Sequence, residues 1–375
     1  MKKLRVIQVG IGGIGRSHLR AILQNERYQL AAVCDAYPER PDVRESMNTA
    51  EELGIPFFTD YRAAFRKVEA DAAFVCTPHH WHGPITIAAL RRRMHVFVEK
   101  PPAASTDDAR RMVEAQKKFR KVVAVGFNPT ATAECIALKN HIARGDLGEI
   151  REVVAVGKWY RADDYYRRAD WVGRKKVGGK WCRDGVIYNQ ASHTLAAALM
   201  LANARPGPTF SVGLRAKAGL YRAHPVESLE MEDLACAVLE LDGRSKPRLF
   251  FYVTTCNQGQ KSTTWIRVFG EKGSARLGSG QIELRGGKVK PLKVPANLPS
   301  KHDNFYEAVM RGAAPYSPLK ESAKVTYTIE AIYEAARREI RKIDWEQLGD
   351  LSEVIERAAA QRCLFSEIDS APQWA

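Results

Sequence analysis

Apolar residues in the first 125 positions come in two alternating textures. Short runs rich in β-branched residues occur at Leu4 to Val9, Leu30 to Cys34, Ala72 to Cys76, Val96 to Val98 and Val122 to Val125. Between them, apolar side chains recur every three or four residues, as in His18, Leu19, Ala21, Ile22 and Leu23, and again from Ile85 to Leu90. The first texture reads as buried strand and the second as amphipathic helix. A further helix closes at Glu51-Glu52-Leu53-Gly54 before an extended Phe57-Phe58, and Ser105, with Asp108 three residues on, is placed to cap another. Such alternation predicts a parallel, doubly wound sheet with right-handed crossovers and helices on both faces.

From about residue 127 the pattern changes. A helix over Glu134 to Ala143 is followed by alternating or β-rich segments: Ile150 to Lys158, Ser211 to Ala216, Ala235 to Leu241, Leu249 to Thr255, Ile266 to Phe269 and Ala275 to Leu277. Turn residues such as Asp242-Gly243 and Glu271-Lys272-Gly273 separate neighbours, which predicts a large, mostly antiparallel sheet. Helical spacing returns at Asn304 to Arg311, Lys320 to Arg338 and Leu351 to Arg362. The expected architecture is α/β throughout: a doubly wound domain over 1–126, a second α/β domain over 127–338, and a helical extension over 339–375.

The length of 375 residues suits two domains, and 45% hydrophobic with 27% charged residues is ordinary globular composition. No apolar run approaches the roughly 20 residues of a membrane span. The Met-Lys-Lys start is broken by Arg5, Gln8 and the glycines that follow, so it reads as the beginning of a strand rather than an export signal. Seven scattered cysteines, with no CxxC pair, argue against a disulfide framework or a zinc cluster, and reduced thiols fit a cytoplasmic protein. The net charge of +15 favours anionic ligands or nucleic acid.

Four places could carry chemistry. Gly10-Ile11-Gly12-Gly13-Ile14-Gly15 is a GxGxxG turn between a strand and a helix. Gly10 permits the tight turn, Gly12 lets backbone approach a pyrophosphate, and Gly15 lets helix and strand pack closely, while the helix start offers N–H groups to phosphate. Asp35 ends the second strand 20 residues after Gly15, where an acid can bond a ribose 2′-OH. Its carboxylate favours NAD over NADP, with Arg40 keeping NADP as the alternative. Thr77-Pro78-His79-His80-Trp81-His82 lies at a strand's carboxyl end, where ligands bind in doubly wound folds; three adjacent imidazoles from one loop do not converge on one ion, so no metal is expected. Glu99-Lys100-Pro101 puts an ammonium group at another such end, able to polarise a hydroxyl or carbonyl oxygen. Asn189 and His193, four apart in a segment that reads as a helix over Gln190 to Leu201, would share one face. Between these sites lies an aromatic and basic stretch from Trp159 to Trp181, suited to stacking sugar rings and forking onto hydroxyls, carboxylates or phosphates. It matches no RRM, KH or helix-turn-helix pattern, so a nucleic-acid partner is not expected.

In this order the motifs resemble the family of glucose–fructose oxidoreductase, inositol dehydrogenase and the rhizopine-catabolism protein MocA. The match runs from Val6 to about Ala335 and includes the glycine turn, Asp35, Thr77-Pro78 with His82, Glu99-Lys100-Pro101, Val125-Gly126-Phe127-Asn128, Gly178-Gly179, Asn189 to His193, Asn304-Phe305 and Glu330-Ala331-Ile332-Tyr333. The resemblance implies an N-terminal Rossmann domain, a C-terminal α/β domain whose sheet forms a dimer or tetramer, a nicotinamide cofactor, and a sugar, cyclitol or related polyol as substrate. It implies that Gly10, Ile11, Gly12, Gly13, Ile14, Gly15, Asp35, Thr77, Pro78, His79, His82, Glu99, Lys100 and Asn128 hold the cofactor. Lys100 and His193 become the acid/base groups, Asn189 positions His193 or the substrate, and Trp159 and Trp171 are candidates to stack the substrate ring. Asn189 occupies a position that is often Asp; a neutral amide compensates an imidazolium less, so His193 should hold its proton less tightly and Lys100 carry more of the proton work. Pro129-Thr130 stands where a basic residue is common, and the chain beyond Glu339 has no counterpart. Two other functions fit the same pattern: NAD-cycling cleavage or epimerisation of a glycoside through a keto intermediate, and a cofactor-bound regulator without turnover.

Overall fold

A computed structural model of the chain describes residues 2–202, 215–242, 245–257 and 261–342. The chain divides into two compact units, Met1–Ala131 with Leu298–Thr326, and Thr132–Asn297 with Tyr327–Ala375.

The first unit is built on six parallel strands: β1 (Leu4–Val9), β2 (Tyr28–Cys34), β3 (Phe57–Phe58), β4 (Ala72–Val75), β5 (His95–Val98) and β6 (Val123–Val125), in the order β3-β2-β1-β4-β5-β6. Val6, Ile7, Phe74, Val75, Val96 and Val98 are all fully buried, as expected for strands covered on both faces. Helices α1 (Ile14–Leu23), α2 (Pro41–Glu52), α3 (Tyr61–Lys67), α4 (His79–Arg91) and α5 (Thr106–Phe119) connect them. The Ser105 side chain accepts from the Asp108 N–H at 3.2 Å, capping α5 as its sequence predicts. The strand order reverses between β1 and β4, and at such a point the carboxyl ends of neighbouring strands leave a crevice for a ligand.

The segment 298–326 corrects the expected boundaries, which assigned it to the second domain. Phe305, on the helix Lys301–Arg311, is fully buried and meets Phe74 and Phe97 edge-on at 5.6 and 5.8 Å. The Val125 N–H donates to Ser317 O at 2.9 Å. A helical period says which face is apolar but not which sheet that face will cover.

The second unit opens with α6 (Ala133–Ala143) and β7 (Ile150–Lys158), then the one-turn helix α7 (Asp163–Arg167) and a small hairpin of β8 (Lys176–Val177) and β9 (Lys180–Trp181). After α8 (Ala191–Ala202) come β10 (Arg215–Arg222), β11 (Leu234–Glu240), β12 (Arg248–Thr254), β13 (Thr263–Gly270), β14 (Gly273–Arg276), β15 (Gln281–Leu284) and β16 (Val289–Pro291). These join with the two-residue strand β17 (Arg341–Lys342) in a nine-stranded sheet, β16-β15-β14-β13-β7-β12-β11-β10-β17. Six of its eight pairings are antiparallel, and β12 with β7 and β10 with β17 run parallel. Helix α8 is buried almost all round and packs on β7, β12 and β13.

Several element boundaries differ from expectation. The strand expected at Ser211 is described only from Arg215, and Gly243 of the expected turn and the helix Leu351–Arg362 lie outside the described residues. The last described helix ends at Ala335 rather than Arg338, because Arg337 and Arg338 adopt left-handed backbone (φ 52 and 56°). Arg341–Lys342 then pairs as strand where a helical extension was expected. Among the described residues no helix is long and apolar enough to cross a membrane.

Candidate active site

In the first unit the glycine turn is held by backbone geometry. Gly10 has φ +88°, and a Cβ there would lie 2.5 Å from the Cys76 carbonyl oxygen; one on Gly15 would lie 2.3 Å from Gly10 O. Gln8, buried in β1, donates its amide to Gly10 O and Gly15 O at 3.0 and 2.7 Å and so fixes the turn from beneath. The helix that follows, α1, has Gly13 at its N-cap and so no side-chain cap. The Asp35 carboxylate sits at the mouth of this turn, accepting from the Ile11 N–H at 3.0 Å and the Tyr37 N–H at 3.1 Å. A tight glycine turn, an uncapped helix start and an acid at the neighbouring strand end fit the pyrophosphate and ribose of a dinucleotide.

Sequence reading missed one residue here. Asp42 accepts from the Gly13 N–H at 2.9 Å and is paired with Arg40 through two contacts of 2.8 and 3.1 Å. Partial burial raises its pKa, but the Gly13 N–H and the Arg40 guanidinium outweigh that and hold it below the ordinary value. Arg40 is therefore engaged by a carboxylate, which weakens the case for it as a receptor of a 2′-phosphate.

The ends of β4 and β5 form the second part of this site. His82, fully buried in α4, spans two loops: its ring nitrogens lie 2.7 Å from Pro101 O and 2.6 Å from Thr77 O. His79 and His80 are buried in the same first turn, and burial holds His79 well below its usual pKa. Pro78 is the residue preceding that helix. Among the described residues no three His, Cys, Asp or Glu side chains gather in a metal-binding group. Lys100 follows β5 and is half-buried; its own N–H donates to the Glu99 carboxylate at 3.1 Å.

Glu99 faces inward rather than outward. It is bonded to His18 Nε2 at 2.8 Å and lies 3.5 Å from Lys301 Nζ, and these contacts hold its carboxyl far below the usual range despite burial. Lys301 also donates to Asn128 Oδ1 at 2.9 Å. His18 Nδ1 meets His302 Nε2 at 2.8 Å, and burial, with Lys301 beside it, pushes the His302 pKa down to about 3. Thus Glu99, His82 and Asn128 brace the strand ends that present Lys100. A Cβ on Gly126 would lie 2.5 Å from Glu99 Oε1, which explains the glycine there.

In the second unit, Asn189 does not share a helix with His193. It lies in the turn before α8, its N–H donating to Gly185 O at 3.0 Å, while His193 stands in the first turn of α8. The spacing rule failed because the helix begins two residues after Asn189. The Asn189 amide donates to Asp184 Oδ1 and to Tyr165 Oη, both at 2.9 Å. Asp184, buried, also accepts from the Gly173 N–H at 2.9 Å. The negative charge that the sequence lacks at 189 is thus supplied by Asp184, in direct contact with the Asn189 amide.

The chain of bonds continues to the rim. A guanidinium can only donate, so the oxygen of the Gln190 amide faces Arg161, accepting from its Nε at 2.9 Å and from the Tyr165 hydroxyl at 2.7 Å. Tyr165, Tyr166, Asp184, Asn189, Gln190 and Glu232 line a small cleft. Glu232 is fully buried at its base; burial pushes its pKa up to about 7, against hydrogen bonds from Tyr333 Oη (2.6 Å) and the Ile187 N–H (3.2 Å) that favour the anion. A Cβ on Gly185 would reach within 2.1 Å of its carboxylate. Trp159 and Trp171 are not among the cleft's lining residues. The Trp159 ring lies against Gly157, and Trp171 packs with Tyr166, Val172, Val226 and Leu229. Tyr165 falls in the aromatic and basic stretch that the sequence marks for substrate binding, whereas Asp184, Gln190 and Glu232 escaped sequence reading; their only hint was a polar Arg183-Asp184-Gly185 step before an apolar helix.

Comparison with known proteins gives a consistent account. A model described as an oxidoreductase family with an NAD-binding Rossmann fold matches residues 4–127, and the GFO/IDH/MocA C-terminal domain matches 135–276. The chain is 31% identical over 149 residues to D-glucoside 3-dehydrogenase of Escherichia coli (39% of this chain, 41% of that one). It is also 31% identical over 165 residues to inositol 2-dehydrogenase of Rubrobacter xylanophilus (44% and 45%). The matches span less than half the length of these curated relatives. The crystal structure of the WlbA dehydrogenase from Bordetella pertussis, in complex with NADH and UDP-GlcNAcA, superposes with a TM-score of 0.71 at 26% identity, covering 90% of this chain and 97% of that one.

Proposed function

Since the chain belongs to the GFO/IDH/MocA oxidoreductase family, with its NAD-binding Rossmann domain, we propose that it oxidises a secondary alcohol of a sugar or cyclitol, or reduces the corresponding ketone. The observation that carries this reading is the placement of Lys100 and the glycine turn at the same carboxyl edge of one parallel sheet. NAD, when bound, supplies the two-electron acceptor. Gly10 to Gly15 and the start of α1 hold its pyrophosphate, and Asp35 its adenosine ribose. Lys100 would stabilise the alkoxide charge that develops on the substrate oxygen as its hydroxyl proton leaves. His193 or Lys100 takes the hydroxyl proton, and Asn189 positions the substrate. The relatives' names, which include glucoside and inositol dehydrogenases, support a polyol substrate.

Lys100→Met is expected to keep NAD binding while lowering turnover by about 10²-fold or more, the scale of a lost acid/base group. Wild-type turnover in that variant would remove Lys100 from the mechanism. Accumulation of NADH in step with product distinguishes net oxidation from cyclic use of the cofactor. We further place self-association on the nine-stranded sheet, where Val238, Trp265 and Phe269 lie half-buried on a core of Val154, Val156 and Tyr252. Light scattering reads this directly, and a monomer for the chain would contradict it.

A further inference from the structure

Two guanidinium groups press against the wall of the second unit's cleft. Arg168 Cζ lies 3.6 Å from the centroid of the Tyr165 ring and Arg161 Cζ lies 5.0 Å from it. Arg168 is also 5.8 Å from the Trp171 ring. Stacking on aromatic faces fixes the plane of a guanidinium and reduces the entropy lost when it binds.

Their neighbours are neutralised and they are not. Arg167 pairs with Asp163 at 3.6 Å, and Arg174 with Glu230 at 2.9 Å. Among the described residues no carboxylate lies within ion-pair distance of Arg161 or Arg168. Arg161 spends its donors on Tyr160 O (3.1 Å) and the Gln190 amide oxygen, and Arg168 spends one on Tyr165 O (3.3 Å). Since a guanidinium carries five N–H donors, each retains some for a ligand. The cleft's two carboxyl groups do not supply the missing partner: Asp184 accepts from Gly173 and Asn189, and Glu232, at the base, accepts from Ile187 and Tyr333. Over 161–176 the chain has six Lys and Arg against three Asp.

We propose that the substrate carries an oxyanion, a carboxylate or phosphate attached to the sugar or cyclitol, and that Arg161 and Arg168 bind it. This rests on the oxidoreductase reading above for the identity of the site, and narrows its substrate from neutral polyols to anionic ones. The directed bonds Arg161 to Gln190, Tyr165 to Gln190, and Asn189 to Tyr165 make the oxyanion subsite continuous with Asn189. Charge-assisted forks of this kind select planar or tetrahedral oxyanions over hydroxyls.

The test is calorimetric titration of the full chain with D-glucuronate, α-D-glucose 1-phosphate and uncharged myo-inositol, with and without saturating NAD. At least one of the two anions should bind 10-fold or more tighter than myo-inositol, and which one distinguishes carboxylate from phosphate. The Arg161→Gln/Arg168→Gln double variant should weaken that anion by about 10–100-fold, the scale of lost charged hydrogen bonds. It should leave the affinity for NAD within twofold. Arg168→Gln alone, at an exposed side chain, should show part of the same loss in a chain whose folding is not in question. Equal or tighter binding of myo-inositol, no binding of either anion, or an anion affinity unmoved in the variants would each overturn the proposal. NAD binding is read separately, so a chain that binds the anions but not NAD sinks the oxidoreductase reading while leaving the oxyanion site standing.

Discussion

The two units hold their candidate residues in different ways. In the first, the main contacts are made by backbone: glycines without Cβ atoms, carbonyls that grip Gln8 and His82, and N–H groups that meet Asp35 and Asp42. In the second, they are made by a chain of side chains, Asp184, Asn189, Tyr165, Gln190 and Arg161, each holding the next. A backbone-built site tolerates change in surrounding side chains but fails when a Cβ intrudes. A side-chain network fails link by link, and a paired exchange can repair it.

The largest expected effect is in the first unit. Gly10→Ala puts a Cβ against the Cys76 carbonyl at a backbone angle that only glycine adopts easily. It should abolish measurable NAD binding and destabilise the fold by about 2 kcal/mol or more, read by denaturant melts. Full NAD affinity in Gly10→Ala would show that the turn is not the cofactor's seat.

The second unit should respond differently. Asn189→Asp sets two carboxylates against each other at the 2.9 Å contact with Asp184, so one must take up a proton or move. Turnover should fall by about 10²-fold and its pH profile shift. Adding Asp184→Asn should restore most of it, because the amide then donates to the new carboxylate and its oxygen still accepts from Gly173. Independent, additive losses in the pair would sever the link between these two positions.

A smaller effect follows from Glu232. Its folded pKa, about 7, lies above the unfolded value, so the folded state binds the extra proton between those two pH values. Stability should therefore fall as pH rises from about 4.5 to 7. Glu232→Gln should flatten that slope and raise Tm at pH 8 by about 5 °C relative to wild type. An unchanged slope would mean that the carboxyl is ionised throughout.

The same contrast explains what could be read from the chain. The strand–helix alternation, the glycine turn, Asp35 and the Lys100 strand end follow from local rules, because a turn's chemistry is written in consecutive residues. The packing of Phe305 on Phe74 and Phe97, and the reach of Asp184 to Asn189, join residues by tertiary contact and leave no periodic mark. Asn189 and His193 were both singled out, yet the expected shared helical face was wrong, since spacing alone does not locate where a helix begins. Arg40 and Asp42 show the converse: two residues apart in sequence, they pair with each other, and a charge read as a ligand's partner already has one.

The most direct test of the account is titration of NAD and NADP into the wild-type chain and Asp35→Ala. Wild type should bind NAD at least about 10-fold tighter than NADP, and Asp35→Ala should lose most of that preference, as expected for a carboxylate that accepts a ribose hydroxyl and repels a phosphate. Failure to bind NAD, or a wild-type preference for NADP that Asp35→Ala leaves unchanged, would contradict it.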